Sequence, residues 1–290
     1  MKVIKLKPDD LNFPLGKDVW EKQNIHYHGT SSIFTEELEK GKWSSKGLPY
    51  DLDEIQEIIR IYDSIRVRGT GQDFGEYFDQ ILYDYSLERI NDNSYAMPVS
   101  ITKDYWRARN YAINLGGETI NAIINACKYF SQLVNNEDEH SNHLKRLDKG
   151  CFEFKRQYAG INVKQFEYLR IQLDSLEKCS MNFQDQSYLE SCLNTLEPIR
   201  RKYEKLVSGS YPVVYGIEYG LNLMSSDLKD IAYYNETRKD YVIEKVIDWS
   251  KFAPENIVAR VEYPDGISSF YEVTIGHYEK NNLLPWKNQK

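Results

Sequence analysis

An α+β protein is what this sequence predicts, and two observations carry the expectation. Near both ends lie short segments rich in Val, Ile and Tyr, punctuated by Gly and Pro, such as Asn24–His28 and Tyr211–Tyr219. Between them, residues 119–207 carry almost no turn punctuation and repeat apolar residues at helical spacing. Strands at the two ends around a long helical middle make a mixed core with a helical insertion. A chain of 290 residues is long enough for both.

The elements follow in order. Asn24–His28 reads as a short strand that Gly29 ends, and Ser31-Ser32 can cap a helix over Ile33–Lys40. Leu52–Val67 places Leu52, Ile55, Ile58, Ile59 and Tyr62 on one helical face, and Phe74–Ile90 repeats the pattern. Between them, Gly69 and Gly71 mark a loop that lacks the Gly-Lys-Ser/Thr ending of a phosphate loop. Met97–Ile101 reads as a strand, Thr102-Lys103-Asp104 as a helix start, and Tyr105–Asn114 as a short helix stopped by Gly116-Gly117. Four helical patterns follow: Ile120–Val134, His143–Tyr158, Val163–Cys179 and Tyr188–Val207, with an acidic hinge at Glu137-Asp138-Glu139 and Pro198 placed to kink or divide the last. Their apolar stripes need partners, which predicts a small bundle. Strand character returns in Tyr211–Tyr219, Tyr241–Val246, Asn256–Tyr263 and Phe270–Tyr278. The expected organisation is a core from 1–118 (with a helical insert at about 50–94) and 208–280, a helical subdomain at 119–207, and a flexible tail at 281–290.

Composition sets bounds on function. No apolar stretch approaches the length that crosses a bilayer, and Met1–Pro8 alternates charge and bulk without the apolar core of a secretory signal, so a cytoplasmic protein is expected. Cys127, Cys151, Cys179 and Cys192 form no Cys-x-x-Cys pair and read as reduced packing residues. A net charge of −7 argues against broad nucleic-acid binding but leaves room for a local basic groove, with Arg66, Arg68, Arg107 and Arg109 as its candidates.

Three separated pieces hold polar residues where chemistry could use them: Tyr27-His28-Gly29-Thr30-Ser31, Val99-Ser100-Ile101-Thr102 with Ala108-Arg109-Asn110-Tyr111-Ala112, and Val242-Ile243-Glu244-Lys245-Val246-Ile247-Asp248-Trp249. His28 closes a strand beside a residue that lets a ligand approach backbone, or else packs at that strand end. His26 and His28 could form a metal pair, but no third ligand stands at useful spacing, and no metal is expected. Tyr111 is either a helix packing residue or a flat face for a cationic ring. Glu244 breaks the strand preference against acids: it is a surface residue on an edge strand, or a carboxylate set in an apolar row between Val242 and Val246.

The order and local context of these pieces resemble the His-Tyr-Glu class of ADP-ribosyltransferases, the class of diphtheria toxin and the poly(ADP-ribose) polymerases. The resemblance covers residues 24–48, 95–117 and 210–263. It implies a split antiparallel β-sheet core around an NAD cleft, with the helical segment 119–207 as an insertion. It also implies NAD as co-substrate and Glu244 as the catalytic carboxylate. His28, Gly29 and Thr30 would hold the dinucleotide, with Gly29 offering backbone groups to the nicotinamide amide. Ser100, Thr102 and Tyr111 would complete the site, Tyr111 lying against the nicotinamide ring. Two positions depart from the family pattern. Ser100 stands where many relatives have a second aromatic, eleven residues before Tyr111, and Tyr95 could substitute for it. Val242 stands where arginine-modifying relatives carry Glu or Gln, which speaks against arginine as acceptor. The implied activity is mono-ADP-ribosyl transfer to a protein or nucleic acid, in a toxin, toxin–antitoxin or phage-defence role, with an antitoxin or inhibitor protein as a further partner. The alternatives are an NAD glycohydrolase, an enzyme like the RNA 2′-phosphotransferases, which share the His-Gly-Thr start, and a non-catalytic binding module.

Overall fold

The computed structural model describes residues 1–8, 10, 25–40, 49–66, 98–103, 105–219, 228–235, 240–248 and 254–267, with the backbone alone over 98–100, 228–235 and 240–248 and at 37, 40, 118 and 164. The expected helix Phe74–Ile90, the strand Phe270–Tyr278, the Gly69–Gly71 loop, Arg68, Tyr95, Trp249 and the tail 281–290 lie outside the described residues. The chain forms two compact units, one from residues 1–49, 94–118 and 206–290, the other from 50–93 and 119–205.

The first unit holds two sheets. Strands β1 (Lys2–Lys5), β2 (Ile25–Ser31), β4 (Pro212–Glu218) and β7 (Ile257–Glu262) form one, in the order β1-β7-β4-β2. Strands β3 (Pro98–Ile101), β5 (Leu228–Asn235) and β6 (Asp240–Asp248) form the other, in the order β3-β6-β5. The expectation of wholly antiparallel sheets is corrected at one edge, where β1 pairs with β7 in parallel and makes the four-stranded sheet mixed. Two antiparallel bonds tie the sheets: Tyr27 N–H donates to the Thr102 carbonyl (2.6 Å), and Thr102 N–H to that of Tyr27 (2.9 Å).

Strand β2 does not end at Gly29. It continues to Ser31 because Gly29, Thr30 and Ser31 stand opposite Val214, Val213 and Pro212 of the buried β4. Alternation then divides β4 between two cores, with β2 contributing to one of them. Ile25 and Tyr27 join Val214, Ala259, Val261 and Tyr263 on one side, under helix α3 (Tyr105–Ala112), whose Tyr105, Trp106, Ala108 and Ala112 complete that cluster. On the other side Ile101, Val213, Tyr215, Ile217 and Ile257 pack with Leu38 of helix α1 (Thr35–Lys40). A 3-10 turn, Ser32–Phe34, leads into α1, and the Ser31 hydroxyl accepts from Ile33 N–H at its start.

The second unit is helical. Helix α2 (Leu52–Asp63) is capped by the Asp51 carboxylate, which accepts from Asp53 N–H at 2.9 Å. Its buried Ile55, Ile58, Ile59 and Tyr62 explain why this segment, expected as an insert in the N-terminal half of the core, belongs with the later helices. Tyr62 donates to the Ala126 carbonyl on α4 (Gly117–Asn135), and Asn182 on α6 (Glu167–Gln184) donates to that of Ser64. The Glu137-Asp138-Glu139 run is the first turn of α5 (Glu137–Gln157) rather than a hinge: Asn136 caps it, and three acids suit the positive end of a helix dipole. Helix α7 (Gln186–Ser208) runs unbroken through Pro198. An interior proline costs about 3 kcal/mol, and burial of Leu189, Cys192, Leu196, Ile199 and Tyr203 along the same stripe outweighs it. The four cysteines are free, and burial pushes the Cys127 thiol up to about 12 and that of Cys179 up to about 11, so neither is a thiolate at neutral pH. Among the described residues, no helix is long and apolar enough to cross a membrane.

Candidate functional site

All seven predicted site residues fall in the first unit. His28, Gly29 and Thr30 lie on β2, Ser100 on β3, Thr102 directly after β3, Tyr111 on α3 and Glu244 on β6. The β3–β6 register sets Ser100 opposite Val246 and Ile101 opposite Lys245. Continued by one residue, it sets Thr102 opposite Glu244, while Thr102 also bridges Tyr27, the neighbour of His28. The backbone thus brings the first and third motif segments to the two sides of Thr102.

Strand β2 is an edge strand, and its outer edge is paired at Tyr27 alone among the described residues. In an extended strand, the N–H and C=O of one residue point to one edge and those of the next to the other. Those of Tyr27 point outward to Thr102, so those of Gly29, two residues on, point outward as well. Gly29 stands opposite Val214, and among the described residues its own N–H and C=O have no partner. One donor and one acceptor are therefore presented side by side at an edge that is unpaired there among the described residues.

Helix α3 lies close over the face of β2 at Gly29. A Cβ on Gly29 would lie 1.7 Å from the Ala108 carbonyl oxygen and 3.0 Å from the Ala112 nitrogen. Tyr111, between these two residues in sequence, is 48% exposed while Tyr105, Trp106, Ala108, Arg109 and Ala112 are buried, so Tyr111 is not a packing residue of this helix. Arg107 lies one turn before it, with the guanidinium 5.8 Å from the Tyr111 ring centre and Nη2 donating to the hydroxyl at 3.4 Å.

The structure does not put the imidazole of His28 on that same side. Alternation turns His28 to the opposite face of β2, in register with Tyr215, and a ligand touching both His28 and Tyr111 would have to cross the edge at Gly29. His26, on the face of His28, is buried and packs 5.2 Å from the Tyr219 ring. Among the described residues, no three His, Cys, Asp or Glu side chains are grouped to hold a metal ion.

The face of His28 carries a polar cluster that sequence reasoning missed. The Tyr215 hydroxyl donates to Glu39 Oε1 at 3.0 Å, Arg260 donates to the same oxygen, and Arg260 Nη2 pairs with Glu262 Oε1 at 2.8 Å. Burial and the Glu39 charge push the Tyr215 hydroxyl far up. Burial works against the charge of Arg260, but the carboxylates of Glu39 and Glu262 more than offset it and hold the guanidinium above its ordinary value. These residues come from sequence positions too far apart for spacing to reveal them. The only available signal is Glu262, an acid inside the strand pattern Ile257–Glu262.

Two of the four arginines named for the expected basic groove are buried instead, while Arg68 lies outside the described residues. Arg109 is fully buried, donates from Nη2 to the Pro8 carbonyl at 3.0 Å, and lies 5.6 Å from Trp106 and 5.2 Å from Tyr263. Arg66 is buried in the helical unit.

Comparison with protein families, with curated proteins and with solved structures gave no match.

Proposed function

We propose that this chain is an NAD-dependent mono-ADP-ribosyltransferase of the His-Tyr-Glu kind, acting on a macromolecular acceptor. What supports this reading above all is Gly29, whose outward N–H and C=O form a donor–acceptor pair at the strand position met by Ala108 and Ala112, the helix residues on either side of the exposed Tyr111 in sequence. A primary carboxamide on an aromatic ring needs just that set: an N–H for its oxygen, a C=O for its NH₂, and a flat face for the ring. Nicotinamide is such a group, and its cationic form in NAD is drawn to a phenol face.

The reaction follows from bond polarity. As the bond from nicotinamide nitrogen to ribose carbon breaks, its electron pair leaves with nicotinamide and neutralises the ring, and positive charge develops on the sugar. A carboxylate fixed on a strand stabilises that charge, and Glu244 on β6, one register step from the Thr102 bridge, takes that role. The acceptor oxygen or nitrogen attacks the ribose carbon and gives up its proton. That proton passes to Glu244 or to solvent.

The test is nicotinamide release from NAD by the purified chain, followed chromatographically. Turnover should be slow without acceptor, and Glu244→Gln should lower it about 100- to 1,000-fold. Tyr111→Ala should weaken NAD binding by about 1–3 kcal/mol through the lost stacking face. Full turnover in Glu244→Gln would remove the carboxylate from the mechanism. Label from NAD appearing only as free ADP-ribose, in the presence of cell protein, RNA and DNA, would replace the transferase with a hydrolase.

A further inference from the structure

Two arginines stand on α3, and the fold uses them in opposite ways. Arg109 is fully buried, held by the Pro8 carbonyl and by the rings of Trp106 and Tyr263. Arg107 is half-buried and lies one turn before the exposed Tyr111, so both side chains leave the same face of the helix. Its guanidinium carbon is 5.8 Å from the Tyr111 ring centre, and Nη2 donates to the hydroxyl at 3.4 Å. A guanidinium lying flat on the middle of a ring would approach to about 3.5–4 Å. Arg107 therefore stands off toward the hydroxyl end of the phenol and does not cover the middle of the ring. The bond to the hydroxyl is long and its acceptor is neutral, so Tyr111 does not cancel the positive charge.

A second cation drawn to that ring meets the first. The nicotinamide ring is positive wherever its nitrogen is bonded to ribose, and on the face of Tyr111 it would lie close to the guanidinium, where like charges repel. A ligand made of nicotinamide and ribose alone meets that repulsion unrelieved. A ligand with a phosphate on the same ribose brings an anion back to the guanidinium, whose planar fork gives a phosphate two parallel N–H bonds.

We infer that Arg107 makes the site select a nicotinamide nucleotide over the unphosphorylated nucleoside, by binding the phosphate carried on the nicotinamide ribose. The inference rests on the NAD reading and names the group that recognises the anionic part of the co-substrate. Arg107 is a binding and specificity residue here, with no part in bond cleavage.

The experiment is isothermal titration calorimetry of the full chain with nicotinamide mononucleotide, nicotinamide riboside, nicotinamide and inorganic phosphate, each alone, on the parent, Arg107→Gln and Arg107→Lys. The parent should bind the mononucleotide about ten-fold or more tightly than the riboside, the scale of a charge-assisted hydrogen bond. Arg107→Gln should move the two in opposite directions: the mononucleotide weaker by about ten-fold or more, the riboside tighter by up to about five-fold as the repulsion goes. Loss of a merely structural side chain would weaken both together. Arg107→Lys keeps the charge without the fork, so it should fall between the other two proteins for the mononucleotide and match the parent for the riboside. Nicotinamide is uncharged and should bind all three proteins alike. A parent that binds riboside and mononucleotide equally, or a ratio that Arg107→Gln leaves unchanged, would overturn the inference while nicotinamide binding and nicotinamide release from NAD still stood. Inorganic phosphate bound as tightly as the mononucleotide would also overturn it, by making Arg107 a site for free phosphate. A parent that binds none of the nicotinamide compounds would remove the NAD reading itself, and the inference with it.

Discussion

Gly29→Ala tests the packing on which the proposed site rests. The added methyl carbon would sit 1.7 Å from the Ala108 carbonyl oxygen and 2.6 Å from its carbon. Both are backbone atoms of α3, so no side chain can swing away. To restore even a 3.0 Å contact the helix must retreat by about 1.3 Å, withdrawing Tyr105, Trp106 and Ala112 from Tyr27 and Val214. Overpacking that forces such a backbone shift costs about 1–3 kcal/mol, and the upper end applies because a whole helix has to move. With a urea dependence of about 2–3 kcal/mol per molar, the unfolding midpoint should drop by about 1 M. Gly216→Ala is the matched control. Its methyl would meet Ala259 Cβ at 3.5 Å, an ordinary contact, and its effect should stay within about 1 kcal/mol. Urea titrations followed by circular dichroism measure both. A Gly29→Ala protein that unfolds at the parental midpoint would mean that α3 does not lie on β2 at this spacing, and the juxtaposition of Gly29 and Tyr111 would go with it.

Two further outcomes follow from buried polar groups. Tyr105 and Tyr263 share a hydroxyl–hydroxyl hydrogen bond of 2.7 Å inside the first unit, so either Tyr→Phe change should cost about 1–2 kcal/mol in the same titration, and the double change less than the sum of the two. His143 in the helical unit is held below its usual value of 6.5, mainly by burial, with Arg146 and His140 adding to the effect and a bond of its Nε2 to the Ile65 carbonyl at 3.0 Å opposing it. A depressed folded-state value means that the unfolded chain binds the proton first. Stability should therefore be full above about pH 6.5 and decline as pH falls below it, levelling off under the folded value, and His143→Gln should remove that part of the slope. Thermal melts between pH 5 and 8 measure this, and an unchanged slope in the variant would show that His143 is not its source.

What the sequence made legible was local. The apolar stripe of Leu52, Ile55, Ile58, Ile59 and Tyr62 falls on a helix, as periodicity predicts, and Tyr211–Tyr219 contains β4 because six of its seven strand residues are buried and need apolar or small side chains. What was not legible depends on partners far away in the chain. Strand β1 reads as a charged terminus because Lys2 and Lys5 alternate with Val3 and Ile4, and only its parallel pairing with β7 makes it a strand. Strand β5 mixes Lys229 and Asp230 with Ile231 and Tyr233, and no single face announces it. Arg109 looked like a surface cation because guanidinium groups are almost never fully buried; Trp106, Tyr263 and the Pro8 carbonyl supply the environment that holds it. For the site, residue types and order were readable, but the face each residue occupies was not. Whether His28 shares a side with Tyr111 depends on strand phase, and the continuation of β2 through Gly29 fixes that phase only once β4 is in place.

The segment after β3 links these features. Thr102 closes the outer edge of β2 at Tyr27, and three residues later the chain begins α3, which covers the next outward-facing position, Gly29. A strand edge left open just beyond a bridge would ordinarily invite further pairing. Here α3 covers Gly29 from the face of the strand through Ala108 and Ala112, and among the described residues the Gly29 N–H and C=O have no backbone partner. Glycine is demanded twice at this position, once by the approach of the helix and once by any planar group that is to reach the edge past it. A purely structural role would require only the first. The second belongs to the proposed site, to which Tyr111, 48% exposed and one residue from the Ala112 contact, would bring its ring.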